Sequence, residues 1–331
     1  MADEDAARGL MAAYTGPAQV LGGKDGLAQI CATDKADLVL NAIVGSAGLF
    51  ATLAALENHK TLALANKESL VAAGPLVREA LLKSSGRLLP VDSEHNALFQ
   101  CLAGETMREV SKLVLTASGG PFWGRPESEL KNVTPAQALD HPRWRMGPRV
   151  TVDSATLMNK GFEAIEAHWL FDIAFERIEV VIHPQSIVHS MVEFIDGSIK
   201  AHLGPTDMRL PILYSLSWPQ RLNSGLPPLD LAQIGALEFH RADPAKLRCL
   251  GLAYEAARLG RSYPTVLNGA DETAVDGFLH ERIGFNEIGN IIDTVLERHE
   301  PIDIAGVADF ASVDSWAKAE ADSVIKEIRR R

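Results

Sequence analysis

Ala36-Asp-Leu-Val-Leu-Asn-Ala-Ile-Val44 is a mostly apolar run of strand length, ended by Gly45-Ser-Ala-Gly48. A helix from about Leu49 to Asn58 comes next, then a second such run, Thr61-Leu-Ala-Leu-Ala65. Asn66-Lys-Glu-Ser69 opens another helix, which ends near Ser85-Gly86 before a third run, Arg87-Leu-Leu-Pro-Val91. Buried strands alternating with helices predict an α/β fold with parallel β-α-β winding. Ligands of such sheets sit beyond the carboxyl ends of the strands. Gly45–Gly48, Asn66–Glu68 and Asp92–Glu94 all fall on that edge, and their shared position carries more weight than any one motif.

Upstream, residues from Ala2 to about Tyr14 read as a helix, and Gly16-Pro17 and Gly22-Gly23 break the chain between it and Ala36 into short pieces. Downstream, Lys112–Ala117 is a further strand ending in Ser118-Gly-Gly-Pro121. Those glycines suit a close backbone approach to a ligand, and equally a plain tight turn. Pro121 to Pro148 is long, irregular and rich in Pro, Trp, Arg and Gly. A segment of that kind inside a compact domain is more often a functional lid than idle connection. Ile178–His183 and Ser190–Phe194 read as strands, and Asp196-Gly197 turns the second into Ser198–Leu203 as a hairpin. This antiparallel ribbon predicts a second layer or domain. A loop-rich stretch from about Pro227 precedes helices near Leu247–Leu259, Thr265–His280, Glu287–His299 and Ser312–Arg330. Their spacing fits a small bundle, read as packing or dimer support with no chemical cluster.

The bulk properties exclude several classes. Within 331 residues, 47% are apolar and 23% charged, as in a soluble globular protein of two or three domains. A net charge of −11 argues against non-specific nucleic-acid binding, which needs Lys and Arg to displace counterions. Cys31, Cys101 and Cys249 are far apart, which predicts neither a disulfide framework nor a thiolate zinc site, and makes a reducing cytoplasm the default. No apolar run of about 18 residues offers a membrane span. The acidic start Met-Ala-Asp-Glu-Asp is unlike a signal or transit peptide.

Chemistry concentrates in two places. Over Val152–Phe171, Asp153 or Ser154 can cap a helix start, and Met158, Phe162, Ile165 and Trp169 form one apolar stripe. Asn159, Lys160 and Glu163 share the neighbouring face. That face is either an ordinary solvated ion pair or an anion site with a metal-seeking carboxylate one turn on. Asp92 and Glu94 flank Ser93 at a strand-to-helix turn, where they either favour the helix start or, with Glu163, offer an oxygen-rich set for Mg²⁺ or Mn²⁺. His183 and His189 read as satisfied core groups.

These blocks add up to a family. Ala63-Leu-Ala-Asn-Lys-Glu-Ser-Leu70, Leu89-Pro-Val-Asp-Ser-Glu-His-Asn96, Thr116-Ala-Ser-Gly-Gly-Pro-Phe122, His141-Pro-Arg-Trp-Arg-Met-Gly147, Val152-Asp-Ser-Ala-Thr-Leu-Met-Asn-Lys-Gly161 and Ile182-His-Pro-Gln-Ser186 resemble 1-deoxy-D-xylulose 5-phosphate reductoisomerase, in that family's order, from near residue 36 to the C-terminus. The resemblance implies an incomplete Rossmann-like parallel sheet, an α+β catalytic domain and a C-terminal helical bundle. The expected boundaries are 1–92 for NADPH binding, 93–226 for catalysis with a lid near 141–147, 227–246 as linker and 247–331 for the helices. It implies an NADPH- and Mg²⁺- or Mn²⁺-dependent homodimer acting on a phosphosugar. Asp92, Glu94 and Glu163 would be metal ligands, and Ser118, Ser154, Asn159 and Lys160 a phosphate cradle with His141 nearby. Lys67 and Ser93 would face the substrate; Asn66, Glu68 and Gly147 would lie against the cofactor; Trp144 and Met146 would belong to the lid.

One family feature has no counterpart before Ala36: the Gly-rich GxTGSxG turn that holds the NADPH pyrophosphate. Met1 enters the pattern after the first two or so β-α units, which predicts an unpaired sheet edge and an open apolar face. Three readings are open: a full enzyme with a misassigned or cloning-derived start, a shortened chain that binds metal and phosphosugar but reduces poorly, and a silent dimer partner. The retained metal and phosphate residues favour the first. For the 331 residues alone, the expectation is weak NADPH binding and low turnover.

Overall fold

A computed structural model describes residues 4–330. The chain opens with helices α1 (Glu4–Ala13) and α2 (Gly23–Cys31). Then β1 (Leu38–Asn41), α3 (Gly48–Glu57), β2 (Thr61–Leu64), α4 (Glu68–Lys83) and β3 (Leu88–Pro90) succeed one another in the expected alternation. The strands are parallel in the order β1-β2-β3, with Leu38 beside Thr61 and Leu62 beside Leu88. Leu49, Leu56, Leu62 and Leu70 fill the core between this sheet and its helices. The outer edge of β1 pairs with no strand among the described residues, and Leu40 and Val44 beside it are 45% and 76% exposed.

After α5 (Ser93–Cys101) comes β4 (Val110–Ala117), which belongs to a second sheet. Next are α6 (Glu127–Leu130), α7 (Pro135–Leu139), α8 (Pro148–Thr156) and α9 (Met158–Phe171). β5 (Ile178–Ile182), β6 (Val188–Phe194) and β7 (Ile199–Leu203) lead to α10 (Arg209–Ser217), α11 (Leu231–Ile234) and β8 (His240–Arg241). The sheet order is β7-β6-β4-β5-β8, with β4 and β5 parallel and the other neighbours antiparallel. The irregular stretch 121–148 thus holds two short helices, one of them closed by a reciprocal capping box between Thr134 and Gln137. The stretch 227–246 is likewise not all loop: Asp230 caps α11, and β8 pairs with β5.

Helices α12 (Arg248–Leu259), α13 (Tyr263–Leu279), α14 (Glu287–Glu297) and α15 (Val307–Ile328) form the expected bundle. In α14, Ile288, Ile291, Ile292 and Val295 are buried at helical spacing, as an amphipathic helix requires. The bundle packs against α9 and the second sheet in one continuous core, and Phe310 of α15 enters the core of the first sheet. Among the described residues, no helix is long and apolar enough to cross a membrane.

The one helix expected over 152–171 is two. Leu157 stands at φ 63° and ψ 13°, a left-handed conformation that an L side chain adopts at a cost of about 1–3 kcal/mol. Asp153 and Ser154 therefore lie in the last turns of α8 and cap nothing. The Met158 amide donates to Thr156 Oγ1 at 3.3 Å, and the Leu157 side chain is buried, so the break is held from both sides. It lets Ser154 from one helix and Asn159, Lys160 and Glu163 from the next line the same cleft.

Helix α9 is seated through Gly161, where an added Cβ would stand 2.3 Å from Ala253 Cβ of α12. Gly161→Ala is expected to lower stability by about 1–3 kcal/mol despite the ~1 kcal/mol that Ala gains in helix propensity. Urea unfolding measures it; an unchanged midpoint would mean that the two helices separate freely.

Candidate active site

The cleft lies where the carboxyl ends of β2, β3 and β4 meet α8 and α9. Lys67 comes just after β2, Asp92, Ser93 and Glu94 after β3, and Ser118 after β4; all line the cleft with Ser154, Asn159, Lys160 and Glu163. One oxygen from each of Asp92, Glu94 and Glu163 lies within 4.8 Å of the others, a spacing compatible with one divalent ion. The α9 face is not a solvated surface pair: Lys160 and Glu163 are buried.

Two ammonium groups already sit among these acids. Lys160 Nζ donates to Glu94 Oε1 at 2.9 Å and to Glu163, whose other oxygen accepts from Asn159. Lys67 Nζ donates to Asp92 and, at 2.9 Å, to Glu166 Oε2. Burial and the neighbouring Glu94 push the Glu163 carboxyl up to about 7, against the pull of Lys160. Burial opposes charge on both lysines, but the carboxylates around them outweigh it and hold both well ionised. A second oxygen–nitrogen set, Asp92, His95 and Glu166, shares Asp92. Lys67 fills it, and His95 and Glu166 do not line the cleft, so the open set is the one containing Glu94 and Glu163.

His95 Nε2 donates to the Glu163 carbonyl at 2.8 Å, tying α5 to α9 behind the acids. Despite burial, Glu166 and Asp92 raise its pKa to about 9, so the ring is cationic. His141 is arranged differently. Its Nδ1 accepts from the amides of Arg143 (3.2 Å) and Trp144 (2.9 Å), and burial lowers its pKa. A neutral ring accepting at Nδ1 carries its proton on Nε2, which then donates to Ser118 Oγ at 3.1 Å. Gly120 lets this turn close on α8, because a Cβ there would stand 2.5 Å from the Ser154 carbonyl. Trp144 and Met146 line the cleft, with the Trp144 ring centroid 6.1 Å from that of His189.

On the edge expected to meet the cofactor, Asn66 is buried. Its amide nitrogen faces the Ile43 carbonyl (2.7 Å), the Gly45 carbonyl (3.0 Å) and Glu68 Oε2 (2.7 Å), so the side chain stitches β1 to β2. Glu68 Oε1 accepts from the Gly45 amide at 3.1 Å and from Arg149 at 3.0 Å. Gly147 is exposed at the start of α8, two residues before the Arg149 that donates to Glu68.

Sequence comparison decides the family. Residues 1–74, 88–171 and 203–320 match, in turn, the profiles described as 1-deoxy-D-xylulose 5-phosphate reductoisomerase, its C-terminal domain, and DXP reductoisomerase C-terminal domain. The chain belongs to the 1-deoxy-D-xylulose 5-phosphate reductoisomerase family. The likeness, traced above from residue 36, begins at residue 1. The reductoisomerase of Chlorobaculum tepidum is 50% identical over 307 residues, 93% of this chain and 80% of that protein. That of a Geobacillus species is 48% identical over 98% of this chain and 86% of its own. Among solved structures, the Zymomonas mobilis reductoisomerase in complex with NADPH superposes with a TM-score of 0.90 at 41% identity, covering 98% of this chain and 84% of that one. A reductoisomerase complex with NADPH, fosmidomycin and magnesium gives 0.89 at 40% identity, with the same coverage.

Some residues in and around this reductoisomerase cleft escaped the sequence reading: His189 lines it, while Glu166 and Arg149 stand behind it. Glu166 lies one turn beyond Glu163 on the same helix face, so its three-residue spacing could have found it. His189, read as a satisfied core group, lines the cleft; His183 is such a group, bonded to the Glu238 carbonyl and the Ile187 and Val188 amides. Arg149 had no local signal.

Without metal, folded Glu163 holds its proton up to about pH 7, whereas an unfolded glutamate loses it near 4.5. The stability due to that extra proton is complete below the lower value and is lost as pH rises through the upper one. In chelator, wild-type stability should fall between about pH 5 and about pH 8 by roughly 2–3 kcal/mol more than that of Glu163→Gln. Parallel pH profiles in chemical denaturation would remove that proton from Glu163.

Proposed function

We propose that this chain converts 1-deoxy-D-xylulose 5-phosphate to 2-C-methyl-D-erythritol 4-phosphate, with NADPH and Mg²⁺ or Mn²⁺. The observation that carries the proposal is the convergence of Asp92, Glu94 and Glu163 beside Ser118, Ser154, Asn159 and Lys160 in one cleft. The donors fit a hard divalent cation: they are all carboxylates, and burial and Glu94 raise the Glu163 carboxyl to about 7 despite its two lysine neighbours, so a further positive charge would be accommodated. Held by these three, the cation would supply Lewis acidity that polarises the substrate carbonyl for carbon–carbon rearrangement.

The chain's own groups do the rest. Ser118 and Ser154 hydroxyls, the Asn159 amide and the Lys160 ammonium offer donors for a phosphate, with His141 Nε2 orienting the Ser118 hydroxyl. Fixing the phosphate supplies binding energy remote from the reacting carbons and so orients them. Lys67 holds Asp92 in its ionised form and stands beside Glu163, its Nζ 3.8 Å from Oε1, where it faces the substrate alongside Ser93. Trp144 and Met146 cover the cleft, excluding water from an aldehyde awaiting hydride. Glu68, Asn66 and Gly147 define the edge where NADPH would deliver that hydride, Asn66 by shaping the backbone rather than by direct contact.

A second reading, binding of metal and phosphosugar with little reduction, is favoured by one observation: among the described residues the outer edge of β1 pairs with no strand, and Leu40 and Val44 are exposed. NADPH oxidation and calorimetry with 1-deoxy-D-xylulose 5-phosphate and Mn²⁺, on the same preparation, separate the two. Binding with turnover supports the first, binding without turnover the second, and no binding sinks both. Glu163→Gln should abolish metal-dependent turnover, a loss of at least about 10²-fold, with an unaltered circular dichroism spectrum. Unchanged activity would take Glu163 out of the ligand set.

A further inference from the structure

Arg149 lies in the first turn of α8, two residues after the exposed Gly147 that ends the segment 141–147. Its side chain is only 13% exposed and meets three elements, α4, α8 and α13. Nη1 donates to Glu68 Oε1 at 3.0 Å, on the edge of the parallel sheet, and to Glu272 Oε2 at 3.2 Å, on α13. Nη2 donates to Asn268 Oδ1 (2.9 Å), the Asn268 carbonyl (3.4 Å) and Asp271 Oδ2 (3.2 Å). Within α8 itself, Nε lies 3.7 Å from Asp153 Oδ2. Arg149 thus joins α4, α8 and α13 in one polar cluster.

The contacts continue past the guanidinium. Glu68 accepts from the Gly45 amide at 3.1 Å. Glu272 pairs with Lys318 at 3.1 Å, and Lys318 donates to Ser46 Oγ at 3.1 Å. The Gly45-Ser46 turn is therefore gripped from two sides, both leading back to Arg149. No side chain caps the start of α8, so Arg149 is the first buried polar anchor after the uncapped approach to that helix. A lysine could not replace it, because a single Nζ cannot divide its donors between Glu68 and the α13 groups as a guanidinium fork does.

We propose that Arg149 is a positioning residue: it is the post on which segment 141–147 is hinged, and it ties that hinge to Glu68 and the Gly45-Ser46 turn. The tie to cofactor binding, though not the hinge, rests on the proposal that this edge takes NADPH. Lid and cofactor edge would then move as one.

Limited trypsin digestion tests this, since Arg143 and Arg145 are exposed cleavage sites inside the segment. Arg149→Lys keeps the charge, so a role confined to balancing carboxylates would leave digestion unchanged. The positioning role predicts a folded variant, by circular dichroism, cleaved at these sites roughly three- to tenfold faster without ligand. Saturating NADPH should slow cleavage of the wild type and fail to slow that of the variant. Unchanged cleavage of folded Arg149→Lys overturns the hinge. NADPH protection that is equal in both, or absent from the wild type, overturns the tie to the cofactor edge. The calorimetry with phosphosugar and Mn²⁺ reports separately on the proposed function. Should Arg149→Lys not fold, Glu68→Gln serves: faster ligand-free cleavage supports the tie, and unchanged cleavage overturns it.

Discussion

Four carboxyl groups, those of Asp92, Glu94, Glu163 and Glu166, are brought together against two ammonium groups, Lys67 and Lys160, and much of this structure exists to make that possible. Burying charge costs several kcal/mol per ion unless each is paired and hydrogen-bonded. Here every acid has at least one nitrogen donor, but the negative charges outnumber the lysines. The cationic His95 behind Asp92 offsets part of the excess, and Glu163 keeps its proton to offset more. These groups come from β2, β3, α5 and α9, so the cluster forms only when the parallel sheet and α9 are docked.

Docking at that range requires close approaches that few residues permit. Gly161 admits α12 against α9, and Gly120 admits the Ser118 turn against α8. The left-handed Leu157 swings α9 away from the line of α8, which turns one long helix into two walls of a cleft. In each case a local backbone concession fixes the position of a polar side chain: Lys160 beside Gly161, Ser118 before Gly120, Ser154 before Leu157. The strain at Leu157 is offset by burial of its side chain and by the Thr156 hydroxyl that takes the Met158 amide.

How far the fold and the cleft can be read from the residues alone depends on how local each signal is. The parallel strands, α3, α4 and the four bundle helices were legible because apolar spacing is written over five to twenty consecutive residues. The acids and the groups proposed to hold the phosphate were legible as blocks, through resemblance, with the carboxyl-edge rule placing Asn66–Glu68 and Asp92–Glu94 independently. The break at Leu157 was not, because neither Gly nor Pro marks it and leucine ordinarily extends a helix. The two-residue β8 carries no periodicity at all. Arg149 and Asp271 are 122 positions apart, and nothing in either neighbourhood names the other.

The Arg149 cluster and the cleft solve one electrostatic problem in two ways. Around Arg149 and Lys318 stand Glu68, Asp153, Asp271, Glu272 and Asp314, again more acids than cations. None of these five lines the cleft. The excess here is met by protons: burial and the adjacent Asp271 raise Asp153 well above the carboxylate range, and burial lifts Asp271 to about 6. A hydrogen bond between two carboxyls needs one of them protonated, so this cluster gains cohesion from the proton it keeps. In the cleft, Asp92, Glu94 and Glu163 face open space, and a divalent cation can replace the proton on Glu163. Convergence of three carboxylate oxygens on the cleft therefore separates a carboxyl cluster suited to binding metal from one that serves as a structural joint.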